Sequence, residues 1–540
     1  MAQPDSQEIG DATTAVHSQP DSKTRRYDRQ LRLWAASGQS ALESSRTLVI
    51  SASATSTSIL KNLVLPGIGH FTLLDADAVS PADAGNNFFL NGYSSIGKNK
   101  AEEAVPLLTE LNESVDGKAE VKPIDEVLQT DEGRNWVKSF SLVIAHNLSQ
   151  DTLDTLSKLL WDGLGNPPLI VVRSAGFLAD FFIQFHEQCI IEPHSETFPS
   201  LRLTRPFPAL AEWANSTDYD KLDPTEHAHI PFPIILVKAT EKWKAEHDGQ
   251  LPKVYAEKQA FKAAIRDLQK KMDEENFDEA EAQAWRISGE VPVPSEIKSL
   301  FALTPLVPAS SSSSTNGSSV SEQSNAAFHT LLQTLKLFVE SPEGPGCLPL
   351  TSTLPDMHTD TESYVRLQRM YKEQAGKEAA LFKKILKANF PDTPVDDGMV
   401  DLFVKNTHHV NVLRGKRWGA WEEDKSAVAS SLESDPRETA THLALSALSN
   451  LQSKGIDVTA DALRADILTR LPPNTELPEE MTNAVGELER SPTADVPNTA
   501  AFLGGMIAQE AIKMITKQYV PVKGYCVVDL VESWTGVVGA

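Results

Sequence analysis

The stretch Leu48–Leu63, LVISASATSTSILKNL, begins as a buried strand and ends as an amphipathic helix. The segment HFTLLDAD (70–77) supplies a second strand, so the two segments together predict a βαβ unit and a parallel, Rossmann-like sheet. Nucleotide-binding folds of this layout carry a glycine-rich loop after the first strand, because glycine lets the backbone approach a phosphate closely. Here the loop is SASATS, whose Cβ atoms crowd that approach. The residues concerned are Ser51, Ser53, Ala54 and Ser56. The stretch therefore predicts the fold but argues against nucleotide binding in this loop.

The bulk composition is that of an acidic, soluble globular protein. The chain has 540 residues, 41% of them hydrophobic, and a formal net charge of −24. Such a charge repels phosphate backbones and acidic lipids, so it gives no support to nucleic-acid or membrane partners. The chain has no run of about 18 apolar residues, so no membrane span is predicted. Its three cysteines have no CxxC spacing, which argues against structural zinc and fits a reducing compartment, cytoplasmic or nuclear.

The chain changes character twice, which predicts one domain inserted into another. Residues 27–202 alternate strands and helices, residues 203–490 are mainly helical, and residues 491–540 return to the α/β pattern. We expect a disordered polar tail over residues 1–26 and a flexible Ser-rich loop over residues 308–325.

The final block is predicted to complete the α/β domain. NTAAFLGGMIAQEAIKMITKQ is an apolar helix, and its small residues Gly504 and Gly505 are expected to pack against the sheet. YVPVKGYCVVDL predicts a hairpin that turns at Lys523 and Gly524.

Two aspartates end the second strand where a dinucleotide fold places its ribose-binding carboxylate. Asp75 and Asp77 fit that position, but a polar strand end with a capping carboxylate is an equal alternative. The pair His227 and His229 could ligate a metal ion, yet no third ligand is evident, so the sequence predicts loop structure and no metal site.

The cysteines are poor candidates for a nucleophile. Cys189 and Cys526 lie in apolar strands, and Cys347 lies in the loop GPGCLPL without a cation close by in sequence. A reactive thiolate needs such a cation or a helix N-terminus. We therefore expect no catalytic cysteine.

Several long segments resemble the adenylation domain of ubiquitin-like-modifier activating enzymes, a ThiF/MoeB-like fold. They are RRYDRQLRLWAASGQSALESSRTLVI, LKNLVLPGIGHFTLLDADAVS and SSIGKNKAE. DAGNNFFL, EHAHIP, LPDM and AAFLGGMIAQEAIKMITKQYV are similar, more narrowly, to regulatory subunits of neddylation-activating enzymes. The likeness runs from Tyr27 almost to the C-terminus, with the Ser-rich loop as an insertion.

The resemblance implies an incomplete ATP site. Active relatives place an arginine on ATP phosphate where this chain has Asn87, and a magnesium-binding aspartate where it has Leu148. Asp75 and Lys100 match the ribose aspartate and the phosphate lysine and are expected to be remnants. Arg29, in RYDRQ, matches an arginine that reaches across the interface into the partner's ATP site. The resemblance thus implies that this chain binds no cofactor and that ATP and magnesium bind to the partner.

The implied function is that of a non-catalytic regulatory subunit in a heterodimer that activates a neddylation-type modifier. Its partners would be the catalytic subunit and the modifier, and its helical segment would correspond in location to a catalytic-cysteine domain that lacks the cysteine. Three alternatives remain: a regulatory subunit of the sumoylation-activating enzyme, a purely structural scaffold, and an autonomous NAD-dependent oxidoreductase. The loop SASATS and the lack of an acid–base constellation argue against the last of these.

Overall fold

The chain forms two compact units in the computed structural model, which describes residues 22–194, 200–271, 274–306 and 320–540. The first unit comprises residues 22–162, 166–185 and 416–540, and the second comprises the described residues of 163–165 and 186–415.

The strands are β1 (Arg46–Ile50), β2 (His70–Leu74), β3 (Asp116–Glu120), β4 (Leu142–His146), β5 (Leu169–Ala175), β6 (Leu178–Gln184), β7 (Glu187–Ile190), β8 (Asn411–Arg414), β9 (Tyr525–Asp529) and β10 (Trp534–Val538). The helices of the first part of the chain are α1 (Ser22–Arg26), α2 (Asp28–Ser44), α3 (Ala54–Val64), α4 (Pro81–Asn86), α5 (Lys100–Thr109), α6 (Ile124–Gln129), α7 (Asp131–Lys138) and α8 (Gln150–Trp161), with a 3₁₀ turn at Gly92–Ser95.

The helices of the second unit are α9 (Pro208–Ser216), α10 (Pro224–Ala228), α11 (Phe232–Glu246), α12 (Tyr255–Arg266), α13 (Glu275–Gln283), α14 (Trp285–Gly289), α15 (Ser295–Phe301), α16 (Val320–Glu340), α17 (Thr361–Asn389) and α18 (Asp397–Asn406). The chain then continues with α19 (Lys425–Ser434), α20 (Pro436–Ser453), α21 (Ala460–Thr469), α22 (Glu479–Arg490) and α23 (Pro497–Thr516).

An eight-stranded sheet in the order β10-β9-β6-β5-β4-β1-β2-β3 organises the first unit. The strands β3, β2, β1, β4 and β5 run parallel, whereas β6, β9 and β10 each pair antiparallel with their neighbours. Parallel strands are covered on both faces and therefore consist of continuous apolar runs. Leu48 and Ile50 of β1 pack with Leu74 and Val143 in the buried core. The predicted βαβ unit is confirmed as β1, α3 and β2.

Helix α23 packs chiefly against α3, and Gly504 makes that approach possible. A Cβ atom on Gly504 would lie 2.7 Å from the Oγ of Ser58, whereas one on Gly505 would meet open space. The expectation that both glycines pack against the sheet is therefore wrong for Gly505, and the main partner of Gly504 is a helix.

The helices α19–α22 belong to the first unit, so the second unit ends at Gly415 and not at the predicted residue 490. It also begins at His186 and not at residue 203. Helix α20 packs on β6, β9 and β10 and buries Leu443 and Ala444 in one cluster with Leu178. This apolar face needs the sheet for its burial, which the helical periodicity of the sequence does not reveal.

The described residues of the second unit form helices α9–α18 and the antiparallel pair β7–β8. One of its apolar clusters contains Phe232, Ile235 and Leu236 of α11, and another contains Phe328 and Phe403. Among the described residues, no helix is both long and apolar enough to cross a bilayer.

Three local expectations need correction. Residues 1–21 of the predicted tail lie outside the described residues, and Ser22–Arg26 form helix α1. Residues 308–319 of the predicted loop also lie outside them, but residues 320–325 are helical because α16 begins at Val320. The hairpin turns after Asp529 and not at Lys523, since β9 pairs with β10.

Candidate functional site

The loop between β1 and α3 keeps the backbone of a glycine-containing turn although it has no glycine. Ser51 has φ +82°, in the left-handed region that favours glycine. Ser53 then caps α3, and its Oγ accepts a hydrogen bond from the backbone N–H of Ser56 at 3.0 Å. The loop thus has one backbone conformation that favours glycine and a serine cap on the helix that follows it.

A carboxylate of the chain itself lies at the N-terminus of α3. Oδ2 of Asp495 accepts hydrogen bonds from the backbone N–H groups of Ala54 at 2.6 Å and Thr55 at 3.3 Å. Its Oδ1 accepts one from Thr55 Oγ1 at 2.7 Å. The first turn of a helix offers unpaired N–H donors and a partial positive charge, which is where nucleotide folds hold a phosphate. In this chain Asp495 uses those donors.

A buried imidazole connects this loop to the sheet. Nδ1 of His146, the last residue of β4, lies 2.7 Å from the Oγ of Ser53, and its Nε2 lies 2.8 Å from the Oγ of Ser174. Burial lowers the pKa of His146, and the nearby charge of Asp495 offsets this only in part. The ring is therefore neutral at physiological pH and links the helix cap to the sheet by hydrogen bonds.

Asp75 holds the same loop from the end of β2. Its Oδ2 accepts from the backbone N–H of Ala52 at 2.6 Å, and its Oδ1 accepts from that of Asp77 at 2.7 Å. Burial raises the pKa of Asp75, and the two hydrogen bonds act against that rise. Both carboxylate oxygens thus already contact loop backbone, although neither Ala52 nor Asp77 lies in the first turn of a helix. Its role as a remnant of a ribose site stays a prediction.

The positions matched to ATP and magnesium ligands make contacts within the chain, and the remnant role of Lys100 stays a prediction. Asn87 is buried; its Oδ1 accepts from Thr57 Oγ1 at 2.9 Å, and its Nδ2 donates to the carbonyl of Ala52 at 3.3 Å. Lys100 forms an ion pair with Asp83 at 3.2 Å. Leu148 packs against the apolar core of the sheet.

Arg29 lies on the exposed side of α2, at the start of the chain's described part. The neighbouring Tyr27 is buried, and its hydroxyl accepts a hydrogen bond from Asn112 Nδ2 at 2.9 Å. This contact anchors the RYDRQ segment to the unit. Within the described residues, Arg29 itself makes no hydrogen bond or ion pair, so its guanidinium is directed to solvent.

Burial disfavours the thiolate form of two of the three cysteines. Cys189, Cys347 and Cys526 are all buried. Burial raises the pKa of Cys347, and burial raises that of Cys526 to about 12. At neutral pH these two side chains are thiols, which are weak nucleophiles.

The two histidines of the EHAHIP segment do not converge on one point. Nδ1 of His227 pairs with Glu274 at 2.8 Å and its ring stacks on Phe277, whereas Nδ1 of His229 contacts the carbonyl of Thr225 at 2.7 Å. His227 lies within α10 and His229 directly follows that helix, so the prediction of loop structure is wrong for His227.

One buried cluster escaped the sequence analysis because its members are distant in the chain. Glu187, Cys189 and His329 place potential ligand atoms within 4.8 Å of one another. The carboxylate of Glu187 already pairs with His329 at 2.7 Å and with Arg414 at 3.3 Å. These contacts connect α16 and β8 to β7.

Comparisons with known proteins agree with this architecture. Residues 27–151 match the ThiF family model. The chain is 35% identical to the NEDD8-activating enzyme E1 regulatory subunit of Xenopus laevis, over 92% of this chain and 95% of the relative. It is 34% identical to that of Drosophila melanogaster, over 93% and 94%. It is 31% identical to the regulatory subunit AXR1 of Arabidopsis thaliana, over 92% and 93%.

The chain belongs to the NEDD8-activating enzyme E1 regulatory subunit family. Membership of this regulatory-subunit family confirms the resemblance drawn from RYDRQ and the C-terminal helix, together with the ThiF-type α/β fold. It favours the neddylation assignment over the sumoylation alternative. The sequence did not predict the contact of Asp495 with α3, because Asp495 lies 441 positions from its hydrogen-bond partner Ala54.

Proposed function

We propose that this chain is the non-catalytic subunit of a heterodimeric enzyme that activates a NEDD8-type modifier. Its catalytic partner would bind ATP and magnesium, adenylate the C-terminus of the modifier and form the thioester. The names of the relatives support the pairing and the modifier class. The proposal that this chain is not catalytic rests on the carboxylate of Asp495 at the N-terminus of α3.

Adenylyl transfer depends on positioned cations that stabilise negative charge spread over the phosphates. At this loop a triphosphate would instead meet Asp495, a like charge that holds the backbone donors of α3. Asn87 and Leu148 supply neither a cation nor a metal ligand, and Lys100 is paired with Asp83. We therefore expect the isolated chain to release no pyrophosphate from ATP when the modifier is present.

Arg29 is proposed to act in trans, in the ATP site of the partner. Its exposure supports this role, as does the buried anchor Tyr27 two residues before it. A guanidinium offers a planar, multi-donor fork that suits phosphate oxygens. In the same proposal the complex works in the cytoplasm, the nucleus or both.

The test is ATP–pyrophosphate exchange by the reconstituted heterodimer with Arg29→Ala. One preorganised charge donor contributes roughly 10²–10³ in rate where the transition state is anionic, so a loss of that size is expected. Arg29→Lys should retain only part of the rate, because a point charge cannot replace a bidentate fork. The control is Arg32→Ala, which removes an exposed arginine of the same helix that pairs with Asp28. Gel filtration checks that each variant still forms the heterodimer.

Wild-type exchange by the Arg29→Ala heterodimer over a range of ATP concentrations would contradict the trans role and favour the structural scaffold. Isothermal titration of ATP into the isolated chain tests the other half of the proposal. Micromolar binding there would show that the loop of α3 still takes nucleotide.

A further inference from the structure

We infer that Asp495 is an internal anion that occupies the N-terminus of α3, where nucleotide folds hold a phosphate. The donors at this position are called the phosphate cradle. The segment before α23 thus acts as an internal ligand, and removal of its carboxylate opens a site for a small oxyanion. This inference rests on the contacts of Asp495 and does not depend on the pairing with a catalytic subunit.

Three hydrogen-bond donors form the phosphate cradle. The backbone N–H groups of Ala54 and Thr55 and the hydroxyl of Thr55 all donate to the two carboxylate oxygens of Asp495. Thr55 is completely buried and the exposure of Ala54 is only 7%, whereas Asp495 is partly exposed, so the donors are shielded from water more than the carboxylate is. Without the carboxylate, these buried polar groups would lose their acceptor, which is costly.

A cavity of about 240 Å³ adjoins the first turn of α3 and is lined in part by Ala54, Thr57 and Asn86. Lys61 also lines the cavity and makes no ion pair within the described residues. An oxyanion that enters from this cavity would meet one cation and then the helix N-terminus, both of which favour negative charge.

The position of Asp495 has a consequence for the loop. Glycine at positions 51, 53 and 56 would widen the turn, but the donors of α3 would still be bound to Asp495. Glycine restoration alone should therefore give no anion binding, whereas removal of the carboxylate alone should give it.

The experiment measures thermal unfolding of the full chain, wild type and Asp495→Ala, with phosphate titrated to about 50 mM against NaCl of equal ionic strength. The variant should melt roughly 1–3 °C below wild type in NaCl. Phosphate should recover a large part of that loss in the variant and leave wild type unchanged. A parallel titration with formate separates a requirement for phosphate from a general requirement for an oxyanion.

The matched control is Asp424→Ala. Asp424 caps α19 of the same unit and accepts from the backbone N–H groups of Ser426 and Ala427, but it is exposed to solvent. Its loss should lower the Tm without recovery by phosphate beyond that by NaCl. An equal phosphate effect on this variant, or on wild type, would overturn the inference, as would an unchanged Tm for Asp495→Ala.

If Asp495→Ala does not fold, Asp495→Asn carries the test. The amide oxygen can still accept from the helix N–H groups, but it is neutral and fills the space. This variant should melt below wild type and gain nothing from phosphate. A Tm equal to that of wild type would show that the charge of Asp495 is dispensable and would overturn the inference.

Discussion

At the scale of single residues, Ser51 has a left-handed backbone conformation that favours glycine. A side chain in the left-handed region costs roughly 1–2 kcal/mol, whereas glycine loses an additional 0.5–1 kcal/mol of chain entropy on folding, so the two effects oppose each other. At φ +82° the steric cost should prevail. Ser51→Gly should therefore raise the free energy of unfolding by up to about 1 kcal/mol in chemical denaturation.

Ser53→Gly is the matched control, because Ser53 has an ordinary φ of −73° and its Oγ caps α3. This substitution also removes the contact with His146 and should lower the free energy of unfolding. If Ser51→Gly proves less stable than wild type, the Ser51 side chain contributes a contact that outweighs its backbone strain.

At the scale of elements, the pair α3 and α23 depends on one small residue. A Cβ atom at position 504 would lie 2.7 Å from Ser58 Oγ and 2.9 Å from the backbone carbonyl carbon of Ser58. Since backbone cannot yield cheaply, Gly504→Ala should lower the free energy of unfolding by roughly 1–3 kcal/mol, as overpacking does.

The neighbouring glycine provides an internal comparison. A Cβ atom on Gly505 meets open space, so Gly505→Ala should stabilise the helix by about 0.5–1 kcal/mol through helix propensity alone. Urea unfolding of both variants tests the pair. Equal effects of the same sign would mean that the helices do not approach each other at Gly504.

At the scale of the whole molecule, an internal charge network ties the returning part of the chain to the sheet. The chain leaves the first unit at Phe185 and re-enters it at Lys416. Asp180 of β6 pairs with Arg173 of β5 at 2.5 Å and with Nδ1 of His442 at 2.8 Å. Nε2 of His442 lies 3.3 Å from Glu422, which also pairs with Arg470 at 3.0 Å. Two carboxylates thus flank one imidazole between α20 and the sheet.

This network predicts a pH dependence of stability. Burial alone would lower the pKa of His442, but its bonds to Asp180 and Glu422 outweigh that effect and raise it above 6.5. A raised pKa stabilises the fold fully below about pH 6.5, and that stabilisation is lost as the pH rises through the pKa of the folded state. The difference in unfolding free energy between wild type and His442→Gln should be roughly 3 kcal/mol near pH 6 and smaller near pH 9.

His146→Gln provides a control of opposite sign. Burial lowers the pKa of His146, so the wild-type ring resists protonation and the fold loses stability below pH 6.5. The difference between wild type and this variant should therefore shrink as the pH falls. A difference for His442→Gln that does not change with pH would mean that folding leaves the pKa of His442 unchanged, and one that shrinks as the pH falls would mean that the ring stays neutral between its two carboxylates.

The sequence was sufficient for features that depend on neighbouring residues. The strand β1, the cap of α3 and the lack of loop glycines all lie within Leu48–Leu63, and local periodicity and residue type were enough to predict them. The boundary at Gly415 and the position of Asp495 were out of reach, because each depends on contacts between segments hundreds of residues apart. A carboxylate in the segment SPTADV has no local sign that it faces α3.

The strand order has a further consequence for synthesis of the chain. The outer edge of β6 pairs with β9, which is made only when translation reaches Tyr525. While the second unit and α19–α23 are being synthesised, one edge of β6 therefore has no partner strand. This strand contains the apolar residues Phe181 and Phe182. Unpaired apolar edges recruit other strands, so we expect the nascent chain to be prone to aggregation until its last strands emerge from the ribosome.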